Sequence, residues 1–168
     1  MDTRKIDAFS RRRALGCVLA VTAAALAACT TTPLPPVQPA PQPQSNPELA
    51  AFKAVLHPGY VVPPVNSAAR GELVGVLNRT TGLLRFRLQF EGLSGPVRSA
   101  AFHSPAMEGE VAAPTLAIGR ALSSPFEARA ILSPRQSANL LSGQWYVELR
   151  TERYPNGELR GQMIEQAQ

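Results

Sequence analysis

The chain has 168 residues, 45% hydrophobic and 17% charged, with 16 prolines and a formal net charge of +5. That length suits about one domain, and its apolar content excludes wholesale disorder. Apolar stretches of about 18 or more do not recur, which excludes a polytopic membrane protein, and two cysteines are too few for a disulfide scaffold.

Five Lys/Arg and two Asp fall within residues 1–28, a contribution of +3. The rest holds 12 Lys/Arg against 10 Glu, and 12 − 10 leaves +2. The nucleic-acid partner that a basic chain invites therefore has little footing, and none is expected.

The first segment reads as an address. Arg4, Lys5 and Arg11-Arg12-Arg13 precede an apolar run from Ala14 to Ala28. At a rise of 1.5 Å per residue, a run this short falls below the ~20 residues that cross a ~30 Å bilayer core. A short apolar run behind arginines is the pattern of an export signal. It ends Leu26-Ala27-Ala28-Cys29, which resembles the lipobox of bacterial lipoproteins. That resemblance implies cleavage between Ala28 and Cys29, and lipid attachment to the Cys29 thiol. Residues 1–28 are then a lipoprotein signal peptide, and membrane lipid is a partner through acylated Cys29. Thr30, not Asp, follows the cysteine, which resembles the outer-membrane address of Gram-negative lipoproteins, facing the periplasm. The inner membrane and the cell surface are the alternatives. Ser10-Arg11-Arg12-Arg13-Ala14-Leu15 also resembles a twin-arginine signal, so both export routes stay open. With Cys17 discarded and Cys29 acylated, no thiol is left for catalysis or metal binding.

Residues 29–47 form a tether. Thr30–Asn46 reads TTTPLPPVQPAPQPQSN, a Pro/Gln alternation that buries no core and stays semi-extended. At ~3.1 Å per residue it reaches some 40–50 Å.

Residues 48–168 carry turn signals at strand-like intervals, the pattern of an all-β antiparallel sandwich or barrel. Phe52–Leu56 is a first strand. Gly71–Leu77 and Leu83–Phe90 form a hairpin around Thr81-Gly82. Leu84, Phe86, Leu88 and Phe90 alternate with Arg85, Arg87 and Gln89, which buries one face. Val97–His103, Val111–Ile118 and Phe126–Leu132 are further strands. Ser133-Pro134-Arg135-Gln136 opens one short helix over about 134–141, with a serine N-cap, a first-turn proline and a capping-box glutamine. Gly143 supplies its left-handed end.

A last hairpin follows. Trp145, Val147, Leu149 and Thr151 face the core, and Tyr146, Glu148, Arg150 and Glu152 face outward. A two-residue Asn156-Gly157 turn would set apolar side chains against charged ones. A three-residue loop, Pro155-Asn156-Gly157, instead pairs Leu149 with Met163 and Glu152 with Arg160, with Gly157 at positive φ.

At this point the domain resembles the CHRD (chordin-type) family. Phe52–Leu56, Val62–Val65 and Ala69–Leu73 are similar to its opening. Ala100-Ala101-Phe102-His103-Ser104-Pro105-Ala106 is similar to A-H-I-H-G-P-A. Leu140–Thr151 resembles L-x-x-G-x-x-Y-V-N-V-H-T, and Pro155–Met163 resembles P-x-G-E-I-R-G-Q-I. The resemblance implies an immunoglobulin-like fold, frequent attachment to bacterial lipoproteins, and no agreed biochemical activity. Of three family histidines that could ligate a metal, the matching positions hold Ala101, His103 and Arg150, so only one imidazole is left. His57 is remote in sequence. No metal and no cofactor are expected.

His103 reads best as a hydrogen-bonded structural residue. Aspartate is absent beyond residue 28, and there is no G-x-S-x-G elbow. Glu108 and Glu110 flank Gly109 in a loop, and with His103 they are the one polar cluster for an alternative reading as an envelope enzyme of unknown reaction. Arg85, Arg87 and Gln89 form an exposed row, expected to pair with glutamates such as Glu148 and Glu152. The favoured expectation is a non-enzymatic binding or scaffolding domain with an envelope protein or glycan as partner, and no residue is assigned to catalysis.

Overall fold

The computed structural model describes residues 46–167. The signal segment, Ala28, Cys29 and nearly all of the tether lie outside the described residues. Within them, period-two alternation becomes nine strands and one helix: β1 (Leu49–Leu56), β2 (Arg70–Asn78), β3 (Leu83–Glu91), β4 (Ser99–His103), β5 (Pro114–Gly119), β6 (Phe126–Ile131), α1 (Pro134–Leu141), β7 (Tyr146–Arg150), β8 (Leu159–Gln162) and β9 (Ile164–Glu165). A five-stranded sheet has the order β6-β3-β2-β1-β9, and a four-stranded sheet the order β5-β4-β7-β8. All pairings are antiparallel. The fold is an all-β sandwich with one short helix.

The core lies between the inner faces of the sheets. Phe52, Leu73, Leu77, Leu84 and Leu88 from one sheet belong to the same buried cluster as Phe102, Val147, Leu149 and Leu159 from the other, with Trp145 just before β7. The Phe102 ring meets Phe86 edge-on at 5.1 Å and Trp145 at 5.4 Å, arrangements that favour aromatic pairs beyond area alone.

Several predicted elements appear where expected. β2 and β3 form the hairpin, with Gly82 at φ +70°. In the helix cap, Gln136 N donates to Ser133 Oγ and Ser133 N donates to Gln136 Oε1, and Gly143 follows at φ +71°. β1 begins three residues earlier than predicted, at Leu49. β5 starts at Pro114, not Val111, because His103 Nδ1 and the Tyr146 hydroxyl hold the Ala112 carbonyl.

The last hairpin departs from its predicted register. Leu149 pairs with Leu159, not Met163, and Arg160 pairs with Glu148, not Glu152. The connection runs from Thr151 to Glu158, and the reason is a buried carboxylate. Thr151 Oγ1 donates to Glu158 Oε2 at 2.6 Å, and Glu158 N donates to the Leu149 carbonyl at 2.8 Å. Both side chains turn inward, so the ladder stops four residues before a tight loop would end it. The slip is even-numbered, so the apolar faces are kept. Gly157 does adopt positive φ, at +131°.

Candidate functional site

β7 is the strand that organises polar chemistry. Its odd-numbered positions fill the core as predicted. Two of its outward positions do not face solvent: Tyr146 is 1% exposed and Glu148 5%. The loop between β4 and β5 covers them, with the Tyr146 hydroxyl donating to Ala112 O and accepting from Ala112 N, both at 3.2 Å. The expectation of an outward Tyr146 is corrected on this ground.

Three aromatic and cationic groups meet here. His103, on β4 opposite Tyr146, stacks on its ring at 4.7 Å with an interplanar angle of 8°. Arg160, on the other neighbouring strand, places its guanidinium carbon 3.7 Å from the Tyr146 ring centroid, a cation–π contact in a desolvated setting. His103 Nδ1 lies 2.8 Å from the Ala112 carbonyl, and a carbonyl only accepts, so this nitrogen carries a proton. Nε2 is 4.0 Å from Glu148 Oε1. That same oxygen accepts from Arg150 Nε at 2.7 Å and lies 2.6 Å from Arg150 Nη2. Gly157 packs closely against this carboxylate, since a side chain there would lie 3.1 Å from Glu148 Cδ and 2.9 Å from Val61.

Glu108 and Glu110 do not join His103 in this arrangement. The Glu110 carboxylate accepts from Met107 N at 2.9 Å and closes its own turn, while its backbone carbonyl accepts from Arg160 Nη2. Glu108 is exposed and lines a neighbouring cavity. His57 is exposed, and its Nδ1 accepts from Gly59 N. Among the described residues no group of three or more His, Cys, Asp or Glu side chains stands together. His103 and Glu148 supply two donors, fewer than a metal centre normally requires.

The cavity holds about 600 Å³. Val55, Tyr60, Val62 and Ile164 give it apolar walls, and Arg160 and Gln162 lie on its inner side. Arg160 is 2% exposed, yet its Nη1 has no hydrogen-bond partner. Gln162 Nε2 donates to the Ala106 and Gly143 carbonyls at 2.9 and 2.7 Å, while its Oε1 has none. A buried donor and a buried acceptor without partners are costly and call for an explanation. Sequence reasoning missed Arg160, Gln162, Tyr146 and Glu148 as site residues. The signal was present in the closing Glu158-Leu159-Arg160-Gly161-Gln162 segment, where two long polar side chains share one face of a strand.

A second polar centre is structural. The Glu158 carboxylate accepts from Ser67 Oγ at 2.7 Å, from Ser94 N and Oγ at 2.8 Å, and from Thr151 Oγ1. Burial pushes its pKa up, but the donors from Thr151, Ser67 and Ser94 outweigh that and hold it below the ordinary value of 4.5. Three separate loops are tied to one charge.

The row Arg85, Arg87 and Gln89 is exposed as expected, but its predicted partners lie elsewhere. Glu148 turns to Arg150, and Glu152 is 3.4 Å from Arg98. Arg87 instead lies 3.7 Å from Glu127 on the adjacent strand.

No curated protein and no solved structure matches the chain. The family model described as the CHRD domain matches residues 52–163, from β1 through the residue after β8. That span takes in the four-stranded sheet, the five-stranded sheet except β9 and the first residues of β1, the Tyr146–Arg160 stack and the Glu158 centre, and by it the chain belongs to the CHRD domain family.

Proposed function

We propose that this protein is a non-enzymatic cell-envelope lipoprotein whose CHRD domain binds or scaffolds an envelope protein or glycan. In this reading residues 1–28 are removed, lipid on Cys29 anchors the chain, and residues 29–47 space the domain from the membrane, at the periplasmic face of the outer membrane. The Leu26-Ala27-Ala28-Cys29 sequence supports the anchor. A stable anchor needs more than one acyl chain, which full lipoprotein maturation supplies.

One observation carries the binding role: a cavity of about 600 Å³ joins the apolar walls of Val55, Tyr60, Val62 and Ile164 to the polar side chains of Lys53, Glu108, Arg160 and Gln162. Convergent polar groups in a largely apolar recess are the usual make-up of a ligand site. This mixed polar lining suits a group that both accepts and donates, such as an amide or a hydroxyl, and both abound in peptides and glycans.

Two experiments test the parts separately. Radioactive palmitate labels the native chain and not the Cys29→Ala variant if Cys29 is the anchor; equal incorporation refutes it. A photo-crosslinking residue placed at Tyr60, on the cavity wall, captures an envelope component in intact cells. Val55→Arg, which crowds the mouth from an exposed position, lowers the yield about tenfold or more, the loss expected when a ligand contact worth ~1.4 kcal/mol is blocked. Capture unaffected by Val55→Arg removes the cavity from the binding role.

A further inference from the structure

Strand register lays side chains in rows across the outer face of the five-stranded sheet. One row runs Ala51, Val76, Arg85, Arg129 from β1 to β6. Arg85 and Arg129 are directly opposed, and like charges in that position repel. Neither arginine side chain has an ion pair or hydrogen bond among the described residues. Glutamates in the next two rows of this face are already engaged. Glu127 lies 3.7 Å from Arg87, and Glu72 lies 2.7 Å from Lys53. Two exposed guanidinium groups therefore face each other with no carboxylate to share.

The neighbouring row holds Leu83 opposite Ile131. Ile131 is 79% exposed, the highest value among the exposed large hydrophobic residues of the described domain. It stands on the edge strand β6, two residues from Arg129 on the same face. This corner is at the end of the sheet where β1 starts, since Leu49 pairs with Asn78 just before the β2–β3 turn. A chain held by its N-terminal segment thus presents Arg85, Arg129 and Ile131 from the end nearest its attachment.

We propose that this corner docks on the anionic headgroup layer of the membrane. Arg85 and Arg129 take lipid phosphates in charge-assisted hydrogen bonds, for which the planar guanidinium is well matched. Ile131 enters the boundary between headgroups and acyl chains. Charge complementarity favours this occupant: the opposed arginines are relieved by an anion, and the apolar side chain beside them is suited to an interface. The proposal rests on the lipid-anchor reading, which brings the domain to the bilayer, but its test separates the two.

The Ile131→Trp variant of the full chain is reconstituted with vesicles of phosphatidylcholine, with or without phosphatidylglycerol. Trp145 is fully buried and gives a constant background. With phosphatidylglycerol, the emission from position 131 shifts to the blue and is quenched by brominated acyl chains; with phosphatidylcholine alone it is not. Adding Arg85→Gln and Arg129→Gln weakens this docking about thirty-fold, at ~1 kcal/mol for each arginine near an anionic surface. Arg120→Gln with Arg135→Gln leaves it unchanged. Vesicle co-sedimentation reports the anchor separately. Chain that co-sediments without quenching overturns docking and leaves the anchor standing. Co-sedimentation with phosphatidylcholine vesicles that persists in Cys29→Ala overturns the anchor, while quenching that persists in that variant supports docking as a contact of its own. Quenching insensitive to the arginine pair refutes the phosphate contacts. Loss of quenching in inorganic phosphate, beyond chloride of equal ionic strength, assigns the site to a soluble anion and overturns the membrane as its source.

Discussion

Glu158 accepts four hydrogen bonds at full burial, three of them from serine and threonine side chains, and the two serines stand on loops distant in sequence. A carboxylate so solvated by fixed donors prefers its charged form more than it does in water, and its folded pKa is lowered from 4.5. The sign follows. The carboxylate's contribution to stability is fully present above the unfolded value and is lost as pH falls through the lower folded value. Glu158→Gln places an amide NH₂ among hydroxyls that were donating, and it should cost about 1–3 kcal/mol at neutral pH. In thermal melts followed by circular dichroism, the gap in Tm between wild type and variant narrows as pH drops below about 4.5. A gap that widens on acidification contradicts the account. Little of this was legible in the sequence. Thr151 was placed on the inner face correctly, but Ser67 and Ser94 reach Glu158 through the fold alone, and sequence separation conceals such meetings.

Strands and their turns are legible in the sequence where one face is buried and the other wet. Leu84, Phe86 and Leu88 against Arg85, Arg87 and Gln89 gave β3 and its hairpin nearly residue for residue. The helix was legible because Ser133, Pro134, Gln136 and Gly143 each do local work that no distant contact overrides. β7 escaped the rule. Both its faces are buried, so alternation still located the strand but mistook Tyr146 and Glu148 for solvent-facing groups. β8 adds a constraint of its own, because it meets β1 where the two sheets approach: His57 N donates to the Arg160 carbonyl at 3.0 Å. A Cβ at Gly161 would lie 2.9 Å from the Val55 carbonyl carbon and closer still to its oxygen. Backbone cannot yield there as a flexible side chain does. Gly161→Ala should therefore destabilise by about 1–3 kcal/mol or more, the cost of overpacking a filled site. Denaturant midpoints measure it, and a midpoint shift near zero would show that the sheets can separate at this corner at little cost. The same substitution presses on the strand that carries Arg160 and Gln162, so capture at Tyr60 should fall with it.

At the scale of the molecule, the buried hydrophobic cluster runs from Ala50 to Met163 and nearly coincides with the family match over residues 52–163. Fold class was legible because core and turns are both encoded within that span. The cavity was not, because its walls come from β1, the turn after it, β8 and β9, elements that fold topology alone brings together. Charge was legible only as a sum. The +2 beyond residue 28 says nothing of where cations go unpaired, and strand register decides that by setting Arg129 opposite Arg85 while Glu127 falls opposite Arg87. A buried cluster built from these residues leads to a direct expectation. A chain beginning at Asn46 should unfold cooperatively, with Tm within about 4 °C of the full chain, since a difference below ~1 kcal/mol corresponds to a few degrees for a domain of this size. Differential scanning calorimetry of both chains checks it. A larger loss would mean that residues before Asn46 pack on the sandwich, and the spacing role proposed for residues 29–47 would fall with that result.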